Sequence, residues 1–192
     1  MKQPYNNFAE LFTREKEGID FVIKTTTKES PFLIMAPHGG HIEPGTSEIA
    51  KMIAGLDYSL YLFEGIKKSE NWKLHITSVL YDEPIAIQMI QRADTAITVH
   101  GQEGIEEFLT IGGLHTELKN ILSSNLQIAG FSLSSPQTEN FPGLNPLNVC
   151  NRGKLGRGIQ LEISQGLRNA LVNNKEKLRL FGDIIRTTLN TF

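Results

Sequence analysis

The 192-residue sequence predicts a single α/β domain, spanning residues 1–192, with a central mixed β-sheet flanked by helices. Three observations favour this class. Short apolar runs bounded by glycine or proline recur along the chain, as expected for buried strands. Amphipathic stretches with helical spacing lie between several of these runs. An alternation of strands and helices along one chain is typical of a sheet that is covered by helices.

The predicted strands share a short apolar run next to turn-forming residues, and they lie at 31–36, 60–66, 74–80, 95–101, 127–133 and 158–164. The predicted helices share amphipathic spacing or a residue suited to the first helical turn, and they lie at 4–18, 47–56, 84–92, 114–122 and 174–190. Residues 134–150 contain three prolines and predict a loop. The sequence leaves open whether this loop forms a lid.

The composition is that of an ordinary globular protein, with 40% hydrophobic residues, 21% charged residues and a formal net charge of −2. This balance gives no broad attraction to nucleic acid or anionic membrane, so neither is an expected partner. No stretch approaches the ~18 apolar residues of a membrane span. The first residues lack the apolar core of a signal peptide, which favours synthesis in the cytoplasm. We expect a monomer.

The segment PHGGHIEPG places His38 at the end of an apolar strand and at the start of a glycine-rich loop. Glu43 follows five residues later, a spacing that a regular strand or helix would not aim at one point. A loop containing Gly39 and Gly40 can do so. Imidazole and carboxylate together suit zinc. The alternative is a loop that packs against the sheet, with His38 bonded to backbone groups.

A catalytic zinc ion usually has three protein ligands and one open position. His100 is the best candidate for the third ligand, because it closes the predicted buried strand 95–101 and can reach a neighbouring strand tip. His41 competes with it and ranks second, as a substrate or supporting group. His75 is interpreted as structural and His115 as a surface residue.

Glu162 lies within the predicted strand IQLEIS. Alternation places Gln160, Glu162 and Ser164 on one face of that strand. A carboxylate in such a strand is costly unless it faces a polar cavity or solvent. Two interpretations stay open: a solvated edge strand, or a general base that takes the proton from an attacking water molecule.

The segment 150–158 contains Arg152, Lys154 and Arg157 among glycines and is the strongest local positive cluster of the chain. Arginine grips carboxylates through two parallel hydrogen bonds, which suits an acidic substrate. A solvated loop explains the same pattern. Cys150, the single cysteine, forms no intrachain disulfide, and little in the sequence favours it as a nucleophile.

Three segments of the chain resemble the poly-γ-glutamate hydrolases of bacteriophages and their Bacillus relatives: 36–50 with its HGGHIEPGT motif, 98–101 and 151–164. The similarity extends over most of the chain. It implies a compact α/β hydrolase related to the zinc carboxypeptidases, with a phosphorylase/hydrolase-like fold and a central mixed sheet between helices.

The resemblance also implies one zinc ion bound by two histidines and one glutamate, which correspond to His38, Glu43 and His100. The carboxypeptidases have two residues between their first histidine and glutamate, whereas this chain has four. The catalytic glutamate of these relatives lies on a late strand and corresponds to Glu162.

The substrate implied by the resemblance is poly-γ-glutamate, an anionic polymer linked through γ-amides. Arg152 and Arg157 would hold its carboxylates, with Asn151 and His41 as further substrate contacts. Phage origin would allow release by host lysis. Two alternatives remain: a zinc amidohydrolase acting on a small γ-glutamyl or N-acyl amino acid, and a non-catalytic polyanion-binding phage protein. The cleavage mode and the preference for D- or L-glutamate stay open.

Overall fold

The computed structural model describes residues 4–134 and 143–192. These residues form one mixed β-sheet. Its strands are β1 (Phe21–Thr26), β2 (Phe32–Gly40), β3 (Ser59–Gly65), β4 (Thr95–Gln102), β5 (Leu109–Gly112) and β6 (Ile159–Ser164).

The sheet has the strand order β1-β3-β2-β4-β6-β5. The four inner strands β3, β2, β4 and β6 are parallel, whereas β1 and β5 pair antiparallel at the two edges. The carboxyl ends of β2, β4 and β6 therefore lie side by side at one end of the strands. In open α/β sheets, ligands bind outside these carboxyl ends.

Helices cover both faces of the sheet. They are α1 (Phe8–Phe12), α2 (Thr46–Ala54), α3 (Pro84–Arg92), α4 (Thr116–Ile128), α5 (Gln165–Asn173) and α6 (Lys175–Leu189). Alternation along β2 shows the two cores: Ile34 and Ala36 pack in a cluster with α2, α4, α5 and α6, while Leu33 and Met35 pack on the other side with α1 and α3. The predicted α/β class with a mixed sheet between helices is confirmed.

The strand predicted at 74–80 is absent. A short 3₁₀ helix, Asn71–Leu74, occupies its beginning, and an irregular segment leads from there to α3. Leu74 and Ile76 are buried in the cluster on the α1/α3 face. The apolar alternation in this segment therefore reflects packing against the sheet, not pairing within it.

The strand predicted at 127–133 is also wrong. Leu118, Leu122 and Leu126 recur every four residues and are buried, so α4 continues to Ile128. Gly130 follows with φ +89°, a conformation that favours glycine after a helix end. Leu133 makes only an isolated bridge to Leu109.

Three short elements were not predicted from the sequence: β1, β5 and α5. Both strands lie at sheet edges, and β1 is only partly buried, so its apolar pattern is weak. α5 follows β6 directly, with Ser164 capping it through a hydrogen bond from Leu167 N. The helix predicted at 4–18 is limited to α1.

Of the loop predicted at 134–150, residues 135–142 lie outside the described residues, and Val149–Arg152 forms a 3₁₀ turn. Among the described residues, no helix combines the length and apolar character needed to cross a bilayer.

Candidate metal centre and active site

His38 lies near the end of β2, where the pairing with β3 shifts between Ala36 and Gly39. The following glycines are required by space and by backbone angle. A Cβ on Gly39 would clash with Ser47 Oγ, and Gly40 has φ +63° with a Cβ position 2.5 Å from Gly65 O. The chain can therefore turn tightly against the tip of β3.

This turn returns Glu43 to His38. The backbone N–H of Glu43 donates to His38 O at 2.9 Å, and Glu43 Oε1 lies 3.1 Å from His38 Nδ1. Glu43 Oε2 accepts from the backbone N–H of Gly101 at 2.8 Å, at the end of the neighbouring strand β4. The five-residue spacing is thus compatible with one site because the loop folds back on itself.

His100 reaches the same point from β4. Its Nδ1 lies 3.2 Å from His38 Nδ1 and 3.9 Å from Glu43 Oε2. Burial and the adjacent His38 lower the pKa of His100 well below its usual value. The ring is therefore neutral near pH 7 and retains a nitrogen lone pair.

The hydrogen bonds define which atom of His38 can act as a ligand. His38 Nε2 lies 2.8 Å from the carbonyl oxygen of Ile76, which can only accept, so Nε2 carries the proton. In the neutral ring, Nδ1 then has a lone pair that faces the carboxylate of Glu43 and Nδ1 of His100. A cation placed between these atoms could bind all three.

The spacing of these atoms fits a zinc ion. Tetrahedral zinc with bonds near 2.0–2.1 Å separates its ligand atoms by about 3.3 Å. The two distances from His38 Nδ1 are 3.1 Å to Glu43 and 3.2 Å to His100. The hydrogen bond from His38 Nε2 to Ile76 O is the usual outer support of a metal-binding histidine.

His75, interpreted from the sequence as structural, also lies at this cluster. Its ring stacks on His38 with centroids 3.8 Å apart, and its Nε2 is 3.7 Å from Glu43 Oε1. His38, Glu43 and His75 can offer three ligand atoms within 4.8 Å of one another. His38 and burial lower the pKa of His75 to about 3. The His100 ring is tilted against His38 and not stacked on it, with centroids 5.0 Å apart, so His75 and His100 are both candidates for the third ligand.

Glu162 lies on β6 opposite His100 in the sheet register. It is buried, and its Oε1 accepts a hydrogen bond from Gln160 Nε2 at 2.8 Å. A cavity of about 780 Å³ is lined by His38, Glu43, His75, His100 and Glu162 together. The two chemical groups suggested by the sequence, the metal ligands and the candidate base, therefore face one cavity.

The residues predicted to bind substrate are not among the described residues that line the cavity. Asn151 is buried and donates to Gly143 O and Asn145 O while its Oδ1 accepts from Leu114 N and Gly158 N. It fastens a loop. Among the described residues that line the cavity there is no lysine or arginine.

The guanidinium of Arg152 donates to the carbonyl of Tyr81. Arg157 and His41 are exposed, and His41 is fixed through its backbone N–H to Gly65 O. The predicted substrate roles of these residues find no contact with the cavity, as far as its described lining extends.

Arg168 lies beside the site and was not predicted from the sequence. It is buried, and its guanidinium donates to the carbonyls of Pro44, Gln102 and Ile163. It therefore joins the loop of Glu43 to the ends of β4 and β6. No local pattern could reveal this role, because its helix α5 was not predicted.

Two further predictions concern the remaining candidates. His115, expected at the surface, is buried and caps α4, with its Nδ1 accepting from Leu118 N. Burial raises the pKa of the Cys150 thiol to about 12, which agrees with the low rank of Cys150 as a nucleophile.

Fold and site together define an α/β protein with a histidine–glutamate cluster at the carboxyl ends of its inner parallel strands. Within that class, the poly-γ-glutamate hydrolase family matches residues 5–181 of the chain, and the chain belongs to this family.

Solved structures agree with this assignment. A bacteriophage poly-γ-glutamate hydrolase superposes with a TM-score of 0.94 at 30% identity, covering 99% of this chain and 98% of the other. A zinc-free form of YndL superposes with a TM-score of 0.92 at 34% identity, covering 98% of each chain.

The protein YndL of Bacillus subtilis is 39% identical over 172 residues, which cover 87% of this chain and 66% of YndL. The prophage-derived protein YoqZ of the same organism is 38% identical, with coverage of 88% and 61%. The chain thus spans slightly less than two thirds of the length of these two relatives.

Proposed function

We propose that this protein hydrolyses the γ-glutamyl amide bonds of poly-γ-glutamate at a zinc centre held by His38, Glu43 and His100, with Glu162 as the general base. The observation that carries the proposal is the convergence of acceptor atoms from these three residues beside a cavity that Glu162 also lines. Family membership supports the substrate class.

The donor set supports zinc as the metal. Two neutral imidazole nitrogens and one carboxylate leave an open position for a water molecule or substrate, as in catalytic zinc sites. The zinc-free form of YndL is among the structures that this chain resembles, which is consistent with the same choice.

The proposed reaction divides its chemistry between the metal ion and Glu162. A bound zinc ion supplies a Lewis acid for the amide carbonyl and lowers the pKa of the attacking water. Glu162 accepts a proton from that water and passes it to the nitrogen of the leaving α-amine. Each cleavage consumes one water, breaks one C–N bond, and leaves a γ-carboxylate on one fragment and an α-amine on the other.

The described residues of the cavity wall include no lysine or arginine that could pair with the carboxylates of the substrate. We expect neutral amides and backbone N–H groups to bind the units next to the scissile bond. The substrate roles of Arg152, Arg157, Asn151 and His41 stay predictions, as does the monomeric state.

The alternative of a non-catalytic polyanion-binding protein would need Glu162 to point away from His38. Both residues line one cavity, which favours catalysis. The alternative of a small-molecule amidohydrolase retains the same ligands and differs only in substrate.

A chelator experiment tests the proposal. The purified protein is analysed for metal and incubated with poly-γ-glutamate while viscosity and released amine are followed. We expect about one zinc ion per chain, loss of activity on chelation and recovery with added zinc. Turnover of a small γ-glutamyl amide without attack on the polymer would favour the amidohydrolase, and inactivity of the zinc-loaded protein on both would refute the proposal.

A further inference from the structure

We infer that Asn148 and Gln160 are positioning residues that orient the carboxylate of Glu162 through a relay of two hydrogen bonds. Asn148 Nδ2 donates to Gln160 Oε1 at 2.7 Å, and Gln160 Nε2 donates to Glu162 Oε1 at 2.8 Å. The inference rests on the proposed role of Glu162 as general base.

The direction of this relay is determined at its far end. The backbone N–H of Cys150 donates to Asn148 Oδ1 at 3.1 Å, and a backbone N–H can only donate. The oxygen of the Asn148 amide must therefore face Cys150, which turns its NH₂ group toward Gln160. The Gln160 amide then presents its oxygen to Asn148 and its NH₂ group to Glu162.

The first residue of the relay, Asn148, is positioned by the main chain. Asn148 begins the 3₁₀ turn Val149–Arg152, and Val149 N donates to Ser78 O at 2.9 Å. Gln160 and Glu162 lie on the same face of β6, two residues apart. Because both ends belong to rigid backbone, the amides have little freedom to rotate.

All three side chains of the relay are nearly enclosed, with exposed fractions of 7% for Asn148, 3% for Gln160 and 7% for Glu162. Each also contributes to the cavity wall. In such surroundings it is costly to place two donors or two acceptors opposite each other, because a buried polar atom then lacks a hydrogen bond. The relay therefore favours one orientation of the carboxylate. A general base held in this way is already oriented toward the attacking water, so no conformational entropy is lost in orienting it during the reaction.

Asn148→Asp tests the relay with nearly no change of shape. The new carboxylate still accepts from Cys150 N, but it cannot donate to Gln160. The Gln160 amide then turns to donate to this carboxylate, which leaves its oxygen facing Glu162. We expect kcat on poly-γ-glutamate to fall at least tenfold while KM changes much less and the zinc content stays the same.

Asn145→Asp is the matched control for charge. Asn145 lies in the same cavity wall, and its side-chain oxygen accepts from Leu147 N, outside the relay. The variant measures what one added negative charge does to kcat and KM. Equal kcat values for Asn145→Asp and Asn148→Asp would overturn the inference.

Gln160→Met provides a second variant if Asn148→Asp fails to fold, since it removes the donor at similar volume. When both single variants fold, the double variant should lose no more kcat than the more damaging single variant, because they interrupt one relay. Additive losses in log kcat would contradict the relay.

A spectroscopic readout separates failure of the relay from failure of the proposed function. The side-chain NH₂ resonances of Gln160 in ¹⁵N–¹H spectra should shift in Glu162→Gln and in Asn148→Asp, but not in Asn145→Asp. Absence of these shifts overturns the relay whether or not the polymer is cleaved. If the shifts occur and zinc-loaded wild type is inactive on γ-glutamyl amides, the relay is present but the positioning role falls with the proposed function.

Discussion

Glu43 returns to within 3.1 Å of His38 although the two residues lie on opposite sides of a double-glycine turn. The other oxygen of the carboxylate accepts a hydrogen bond from the backbone N–H of Gly101 on β4. The two oxygens of Glu43 therefore contact β2 and β4. This relationship brings the proposed ligands together at the carboxyl ends of β2 and β4, and it explains why the loop between His38 and Glu43 needs its glycines.

Removal of either proposed histidine ligand should remove zinc. His38→Ala and His100→Ala should each abolish stoichiometric zinc and activity together, because two ligands hold the ion poorly. His41→Ala is the control, since this exposed histidine should leave zinc content unchanged. Metal content is measured by mass spectrometry after dialysis. Full zinc in His100→Ala together with loss of zinc in His75→Ala would transfer the ligand role to His75.

Glu162→Gln should retain zinc and lower kcat by roughly 10²–10⁴-fold, the usual contribution of a general base. The neutral amide retains the volume of the side chain but accepts no proton. Glu103→Gln is the matched control, because it removes one negative charge from the rim of the same cavity. A kcat for Glu162→Gln within twofold of wild type would leave Glu162 with a structural role only.

Arg168→Met should weaken both stability and metal binding. Its guanidinium is the shared donor for carbonyls of three segments around the site, and the loss of these bonds should cost about 3 kcal/mol of unfolding free energy. Urea unfolding of the zinc-free protein measures this cost. Zinc affinity should fall roughly tenfold, as for other outer supports of metal ligands.

Arg186→Met is the comparison for this prediction. Arg186 donates to Met52 O and Asp183 on the helical face away from the cavity, so its loss should cost stability without weakening zinc. Equal losses of zinc affinity in both variants would indicate a general effect of instability.

Cys150 should resist thiol reagents in the native state. Its pKa is raised by burial from 9.0 to about 12, so the thiolate is scarce at pH 8, and labelling with a disulfide reagent should follow global unfolding. Between pH 9 and about pH 12 the Cys150 thiol loses its proton in the unfolded chain but retains it in the native chain. The free energy of unfolding should therefore fall as pH rises through this range. Cys150→Ala should show a shallower decline in melting temperature over this window. Rapid labelling of folded protein would contradict the burial of the thiol.

Much of the candidate site could be predicted because its parts lie at the ends of strongly apolar strands. His38 follows the apolar part of β2, His100 lies near the end of β4 and Glu162 alternates with the apolar Leu161 and Ile163 on β6, and each position is visible from local pattern alone. The substrate residues were harder, since a cluster of basic residues in a loop does not reveal where its side chains point. Arg152 donates to a main-chain carbonyl, and Asn151 fastens a loop.

By itself, the sequence determined the α/β class, the three inner strands that carry the candidate site residues, and the family that the chain belongs to. These features follow from local periodicity and from motifs of adjacent residues. Tertiary structure alone decided that His75 lies at the cluster, that Arg168 joins three segments, and that Asn148 contacts Gln160. In each case the contact depends on strand order and loop packing, which no local pattern encodes.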